Sequence, residues 1–202
     1  MPFRSAFASA IVACDNAASA FERSVDGWLP GLAARFVFAA VLFGYYWNSA
    51  LTKVGDGLLG FFQISDGAYF QIVPPVIEAA GYDASAVAFW PWGMIVALGT
   101  YSEFLLPILI VVGLFTRLAA LGMIVFVAVQ SYVDIKFHGV DADTIGALFD
   151  RTSSSTIMDQ RTLWVFVFLV LIVKGAGALS LDALISRFAN QPSARPEGLP
   201  AE

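Results

Sequence analysis

The chain has 202 residues, of which 58% are apolar and 13% are charged, and its net charge is −5. Because a soluble domain carries about 25% charged residues, this chain has too few polar groups to coat a water-soluble particle. The negative charge also argues against a nucleic-acid partner, which selects basic surfaces. The composition therefore predicts an integral membrane protein in contact with the lipid bilayer.

Cysteine and histidine occur once each, as Cys14 and His138. An intramolecular disulfide, a cysteine-ligated iron–sulfur cluster and a structural zinc site each need more of these side chains than the chain has. A haem held by two histidines is excluded for the same reason. We therefore expect no haem, iron–sulfur cluster or structural zinc in this chain.

Residues 3–26, within an N-terminal unit of residues 1–30, are predicted to form an amphipathic helix in the plane of the membrane interface. Its apolar residues recur at steps of three or four: Phe3, Phe7, Ile11, Cys14, Ala18, Phe21 and Val25. An alternative stays open here, because residues 11–14 (IVAC) resemble a lipoprotein cleavage box in which Cys14 is lipidated.

Four apolar stretches within residues 31–186 predict an all-α fold, a membrane-spanning four-helix bundle. Three of them cover residues 32–54, 92–114 and 118–135. The fourth begins near residue 161 and reaches the ~20 residues of a full crossing only if Lys174 and the following GAGALSL stretch are included. The apolar, glycine-rich connection over residues 55–90 is predicted to follow the membrane surface or partly re-enter it.

The basic residues predict that both termini are cytoplasmic, because cytoplasmic loops carry an excess of lysine and arginine. In that orientation the inner face holds Arg4, Arg23, Arg35, Arg117, Lys174, Arg187 and Arg195. The outer face holds Lys53, Lys136, Arg151 and Arg161, with most of the acidic residues. The polar, proline-containing residues 187–202 are predicted to be a disordered cytoplasmic tail.

Four segments carry a family resemblance. Arg35 opens the first predicted span and residues 51–53 (LTK) close it, while residues 101–123 join a glutamate-containing helix to a Gly-Leu-x-Thr-Arg turn. Residues 138–139 (HG) follow the third span, and residues 175–182 (GAGALSLD) follow the fourth. Together they resemble the DoxX family of small bacterial membrane proteins, which includes the DoxD subunit of thiosulfate:quinone oxidoreductase.

The resemblance covers residues 35–184 and implies a four-helix fold in the bacterial inner membrane. It also implies an association with membrane redox chemistry or with oxidative and metal stress. Because members of the family differ in function, the resemblance does not assign an activity to this chain, and whether it is an enzyme stays open.

Glu103 is the most informative polar residue, since a count of residues places it in the middle of the second span. A lone ionised carboxylate is costly there, so Glu103 must face the bundle and be protonated, paired or hydrated. One hypothesis makes it a proton-exchanging group beside a quinone, with Tyr45, Asn48 and Lys53 near the head group. The alternative is a structural carboxyl group hydrogen-bonded to Tyr45, Tyr46 or Asn48.

Arg35, Arg117 and Asp182 are predicted to form a charge cluster at the cytoplasmic face, in which both arginines pair with the aspartate. The alternative is an anion or headgroup site, because guanidinium groups match phosphate and carboxylate geometry. Lys53 is predicted to extend towards the opposite headgroups as an anchor, with substrate or quinone contact as the alternative.

Asp134, His138, Asp141 and Asp143 form a weak candidate set for a divalent cation, since a mixed histidine and carboxylate group can hold one. Acidic loops are more often simply hydrated, so no metal site is predicted.

These observations lead to one main hypothesis and two alternatives. The main hypothesis is a subunit or accessory of a membrane redox or stress-response system that contacts the quinone pool through Glu103. The alternatives are a non-catalytic scaffold for a partner protein and a small proton-coupled carrier. A protein partner or a homo-oligomer is also expected.

Overall fold

The computed structural model describes residues 2–189, which are helical and contain no β-strand. Four helices in this range are long and apolar enough to cross a membrane. We number them span 1 (Leu29–Leu51), span 2 (Phe89–Val112), span 3 (Thr116–Lys136) and span 4 (Thr156–Lys174). The prediction of an all-helical chain with four spans is confirmed, and by length and composition these are the helices of a multi-pass membrane protein.

The spans pack in a ring, in which span 4 contacts spans 3 and 1 and span 2 contacts spans 1 and 3. A single apolar core joins them, with its largest buried side chains from spans 1, 2, 3 and 4: Phe38, Tyr46, Ile110, Met123, Phe168 and Leu171. Small residues bring spans 2 and 3 close together, as expected where packing replaces the hydrophobic drive between helices. Gly122 of span 3 lies against Leu106 of span 2, where an added Cβ would be 3.1 Å from Leu106 Cδ2.

Span 1 begins three residues earlier than predicted, at Leu29, because Pro30 suits the first turn of a helix. Its two α-helical parts, Leu29–Phe38 and Gly44–Leu51, are joined by a π-helical turn. The helix ends at Leu51, so Lys53 lies in the turn that follows it rather than inside the span.

A tight turn joins spans 2 and 3. Span 2 ends at Val112 because Gly113 adopts a left-handed conformation, with φ of +72°. A side chain at this position would also meet its neighbours, since a Cβ on Gly113 would lie 2.5 Å from the Cβ of Ser180 and 3.0 Å from the Cζ of Arg35. Glycine is therefore required here both for the turn and for close packing.

Span 4 reaches its full length through residues before its predicted start at residue 161, and not through residues after Lys174. It starts with a π-helical turn at Thr156, and Ser155 caps this turn by accepting a hydrogen bond from Asp159 N at 3.2 Å. Asp159 returns the contact by accepting from Ser155 N at 2.9 Å, an arrangement similar to a capping box. The span ends at Lys174, because Gly175 and Gly177 have positive φ angles. The GAGALSL stretch is therefore not part of the fourth crossing.

The connection between spans 1 and 2 is folded against span 2. It contains the helices Gly57–Gly60, Asp66–Ile72 and Pro74–Ala79 and a single turn at Ala84–Ala86. Ala68, Val73 and Val96 of span 2 form a small core between them. This core explains why the connection is apolar although it lies outside the four spans.

Shorter helices lie at both ends of the described chain. The N-terminal helix covers Pro2–Val25, and an ion pair between Asp26 and Lys174 joins its end to span 4. A helix at Leu181–Ala189 follows span 4. Residues 187–189 of the predicted disordered tail are therefore helical, because leucine, isoleucine and phenylalanine continue at helical spacing, and the rest of that tail lies outside the described residues.

Candidate functional site

A buried ion pair joins spans 1 and 2. The Nζ atom of Lys53 lies 2.9 Å from Oε2 of Glu103, and the two side chains are only 4% and 5% exposed. Lys53 also donates to the hydroxyl of Ser49 at 2.8 Å and to its carbonyl oxygen at 3.1 Å. All three ammonium hydrogens of Lys53 therefore have acceptors inside the protein.

The position of Lys53 corrects the prediction that it extends to the headgroups as an anchor. Side chains on a helix lean towards its N-terminus, and for Lys53 this direction leads into the bundle, back over Ser49. Glu103 lies there as its partner, so the Lys53 ammonium is held inside the protein and not among the headgroups.

Glu103 lies level with the end of span 1, although it is near the middle of span 2. Its neighbour Phe104 packs against Ala50 and Val54 at the end of span 1. On that side of Glu103 the α-helix of span 2 continues for about 14 Å, at 1.5 Å per residue, to Met94. A count of residues within one span could not show this, because span 2 extends past span 1.

An aromatic cluster forms around Phe104, the residue that follows Glu103. The ring of Phe61 lies 5.2 Å from the ring of Phe104, which in turn meets Trp47 edge to face at the same separation. The hydroxyl of Tyr101 donates to the carbonyl oxygen of Phe61 at 3.1 Å and holds this loop in place. These rings join the end of span 1 and the loop after it to span 2.

The Lys53–Glu103 pair borders a cavity of about 770 Å³ between spans 2 and 3, which is open towards the outside of the bundle because Leu98 and Val129 in its wall are 63% and 56% exposed. Lys53, Ser49 and Glu103 form part of its wall. Most of the remaining wall is aliphatic, with Ile95, Leu98, Leu106, Leu121, Val125 and Val129. The cavity thus combines one polar region with a long apolar surface.

More polar side chains line the cavity near the ion pair. Gln130 donates its amide to the hydroxyl of Tyr45 at 2.8 Å, and Nε2 of His138 lies 3.1 Å from the carbonyl oxygen of Gln71. Asp134 also lines this region and is 23% exposed. These groups place hydrogen-bonding atoms at the same end of the cavity as Lys53 and Glu103.

A second ion pair connects spans 3 and 4. Arg161 donates to Oδ2 of Asp134 at 2.6 Å and to the hydroxyl of Ser131 at 2.9 Å. The Arg161 side chain is 5% exposed. Both residues of the Lys53–Glu103 pair border the cavity, and the second pair borders it through Asp134.

At the opposite end of the bundle, Arg35 binds backbone carbonyl groups instead of the predicted carboxylate. Its guanidinium donates to the carbonyl oxygens of Ile110 and Val111, at the end of span 2, and of Ala176 and Leu179, after span 4. The last carbonyl groups of a helix have no partner within it. Arg35 satisfies these groups and fastens three parts of the chain together.

Asp182 likewise binds a helix end. Its carboxylate accepts from the backbone N–H groups of Phe115, at 2.7 Å, and Thr116, at 3.0 Å, where span 3 begins. No direct ion pair joins Asp182 to Arg35 or Arg117 in the part of the chain that the structure describes. Instead of forming the predicted ion-paired cluster, Arg35 binds backbone carbonyl groups at the end of span 2, and Asp182 binds backbone N–H groups at the beginning of span 3.

The other predicted site residues are less closely associated with Glu103. Tyr45 contacts Gln130 and the ring of Trp164, and Asn48 is exposed. Among residues 2–189, neither hydrogen-bonds to Glu103 or lines the cavity. Of the predicted quinone-proximal residues, only Lys53 contacts Glu103, and the functional role of all three stays a prediction.

The weak metal candidates do not come together. Within the described range, no group of three or more histidine, cysteine, aspartate or glutamate residues is arranged to hold a metal ion. Asp141 instead caps the helix Ala142–Ile145 by accepting from Thr144 N at 2.7 Å. This hydrogen bond to the charged carboxylate holds the pKa of Asp141 below its ordinary value.

The sequence interpretation missed three contributors to the site: Ser49, Gln130 and the pairing of Asp134 with Arg161. Ser49 stands four residues before Lys53, a spacing that places both on one side of a helix. Asp134 and Arg161 are charged residues near the facing ends of two consecutive spans. Both signals were visible, but spacing alone could not select these pairs from the other combinations.

Comparisons with known proteins leave the family open. No protein-family model, curated protein or solved structure matches this chain. The fold and the site define a multi-pass membrane protein in which a buried ion pair, Lys53–Glu103, and a half-buried one, Asp134–Arg161, lie beside a cavity between spans 2 and 3.

Proposed function

We propose that this chain is a DoxX-like protein of the bacterial inner membrane that binds a quinone between spans 2 and 3 and serves a redox or stress-response system. The observation that carries this proposal is the position of the buried Lys53–Glu103 pair in the wall of a largely aliphatic cavity of about 770 Å³. Ligand sites are typically concave and apolar, with a few polar groups that fix orientation.

The cavity matches the two parts of a quinone. Its aliphatic wall suits an isoprenoid tail, and its polar end suits a head group with two oxygen atoms. Oε2 of Glu103 is bonded to Lys53, whereas no hydrogen bond to Oε1 is found among residues 2–189. Oε1 is thus an acceptor for the hydroxyl of a reduced quinone, the quinol.

Two carboxylates can accept the protons that the quinol releases. When the redox centre of a partner protein takes two electrons from the quinol, two protons are released. One passes to Glu103, and the other passes to Asp134, which is partly exposed and can return it to water. The electrons leave through the partner, in keeping with the single histidine and single cysteine of the chain.

A double variant tests quinone binding without leaving a buried charge. In Lys53→Met/Glu103→Leu both charges are replaced by apolar side chains, so we expect the bundle to fold. The quinone extracted per purified chain should fall at least about tenfold, as expected for the loss of a hydrogen bond to a charged group. Glu78→Gln is the matched control, because Glu78 is exposed and lies outside the cavity.

Other outcomes point to the other two functions. Full retention of quinone by the double variant contradicts the proposal. A chain that binds no quinone but retains a partner protein fits the scaffold hypothesis. Substrate flux into vesicles that depends on both Glu103 and a proton gradient fits the carrier hypothesis.

We also propose that both termini are cytoplasmic and that the N-terminal helix lies in the membrane interface. Arg23, Arg35, Arg117 and Lys174 all lie at the end of the bundle where span 3 begins and span 4 ends. Apolar side chains of the helix are exposed, with Ile11 at 54% and Phe21 at 65%. An interface of lipid headgroups would cover this surface.

The single cysteine allows a direct test of this orientation. Cys14 is exposed, so a membrane-impermeant maleimide should label it only after the cells are permeabilised. Ser153, exposed in the loop before span 4, provides the control: Cys14→Ser/Ser153→Cys should be labelled in intact cells. Labelling of Cys14 in intact cells would contradict the orientation, and a Cys14 that resists labelling even after denaturation would support lipidation.

A further inference from the structure

A second cavity, of about 560 Å³, lies at the end of the bundle where span 3 begins and span 4 ends. Two basic residues, Arg117 and Lys174, line it together with one acid, Asp182. The side chains of Phe115 and Leu118 also border it and are 62% and 69% exposed. Positive charge and exposed apolar surface therefore occur side by side.

The N–H donors of the Arg117 guanidinium have no acceptor within residues 2–189. Arg35 binds four carbonyl groups and Arg161 binds Asp134, whereas no hydrogen bond or ion pair of the Arg117 side chain is found within residues 2–189. The nearby acid, Asp182, makes no ion pair with Arg117 within this range, and its carboxylate oxygens accept from the backbone N–H groups of Phe115 and Thr116.

Lys174 adds a second cation to the same cavity. Its ammonium is paired with Asp26, but an ammonium group has three hydrogens, so donors remain for another acceptor. A guanidinium and an ammonium beside one another are the groups that proteins use to bind phosphate.

The apolar neighbours indicate that the phosphate belongs to a lipid. Leu118 lines both this cavity and the cavity between spans 2 and 3, so the two are adjacent. From Leu118 the aliphatic wall continues along span 3 through Leu121 and Val125 to Gln130, a rise of about 18 Å. This length is close to the ~15 Å of hydrocarbon in one leaflet of a bilayer.

We propose that Arg117 and Lys174 bind the phosphate of an anionic phospholipid, and that one of its acyl chains passes Leu118 and enters the cavity between spans 2 and 3. The lipid is anionic because the guanidinium of Arg117 has no carboxylate partner within residues 2–189 and Lys174 keeps donors beside its pair with Asp26. Soluble anions lack the chain that the aliphatic wall accommodates. The contacts of Arg117 and Lys174 with the phosphate do not require a quinone beside Glu103, although the acyl chain lies along the wall that is proposed above for the isoprenoid tail.

Native mass spectrometry of the delipidated full-length chain, titrated with dioleoyl phosphatidylglycerol, tests the headgroup contact. Arg117→Gln should weaken binding at least about tenfold, the effect of losing charge-assisted hydrogen bonds. Arg151→Gln, at an exposed arginine of the loop between spans 3 and 4, should bind as the unmodified chain does. Equal affinities of the unmodified chain and Arg117→Gln would overturn the proposal.

Three further probes identify which parts of the lipid are recognised. Dioleoyl phosphatidylglycerol should bind at least about tenfold more tightly than its dihexanoyl analogue, which cannot fill the aliphatic groove. It should also bind more tightly than dioleoyl phosphatidylcholine, whose head group has no net charge. Displacement by millimolar inorganic phosphate, or equal affinity for the long and short chains, would show a soluble-anion site and refute lipid binding.

Discussion

Replacing Glu103 by leucine is expected to lower the free energy of unfolding by about 3–5 kcal/mol, because it leaves the Lys53 ammonium buried without its partner. The side chain of Lys53 is only 4% exposed and its nearest carboxylate is Glu103, at 2.9 Å. Ser49 would retain two hydrogen bonds to Lys53, but neither carries a compensating charge. Unfolding in mixed detergent micelles measures the change.

The double variant Lys53→Met/Glu103→Leu is the control for this prediction. Replacing a buried ion pair by apolar residues of similar size is often close to neutral, so most of the lost stability should return. Glu78→Gln, at an exposed position, should change stability by no more than about 0.5 kcal/mol. If the double variant were as unstable as Glu103→Leu, the loss would come from packing and not from an unpaired charge.

Replacing Arg35 by methionine is expected to cost at least about 4 kcal/mol, since four carbonyl oxygens lose the same donor. Two of these carbonyl groups end span 2 and the other two follow span 4. Water would reach them poorly, because the Arg35 side chain is replaced by an apolar one in a buried position. The same unfolding assay applies, and the helix–helix contacts at this end should become less protected from hydrogen exchange.

Arg117→Gln supplies the comparison, as this arginine is exposed at the same end of the bundle. In detergent without phospholipid, we expect it to change stability by no more than about 0.5 kcal/mol. Arg35→Lys should fall between the two, because a lysine keeps the charge but cannot reach four separate acceptors in the geometry of a guanidinium. Equal effects of Arg35→Met and Arg117→Gln would contradict the capping role of Arg35.

These variants also separate the structural roles of charge from its functional roles. The pair Lys53–Glu103 contributes to stability through mutual neutralisation, and the double variant removes this dependence while it removes the polar end of the cavity. A loss of bound quinone in a stable double variant would therefore report on binding alone. The same separation holds for Arg117, whose substitution is expected to affect lipid binding and not folding.

The beginnings and ends of the spans show where local rules were sufficient and where they were not. Pro30 and Gly113 act through their own backbone preferences, so the start of span 1 and the turn after span 2 follow from residue type. The start of span 4 does not, because it depends on mutual capping by Ser155 and Asp159 across a π-helical turn. A π turn changes the spacing that a capping box ordinarily has.

The sequence by itself determined that the chain is helical, has four helices long and apolar enough to cross a membrane, and has charged residues at particular positions in and beside them. It could do so because a bilayer admits only long apolar helices or closed barrels, and a long stretch of high hydropathy identifies such a helix in the sequence. The tertiary structure alone decided which groups those charges meet. Glu103 and Lys53 are 50 residues apart, and their contact depends on how far span 2 extends past span 1, a relation between helices that no local pattern contains.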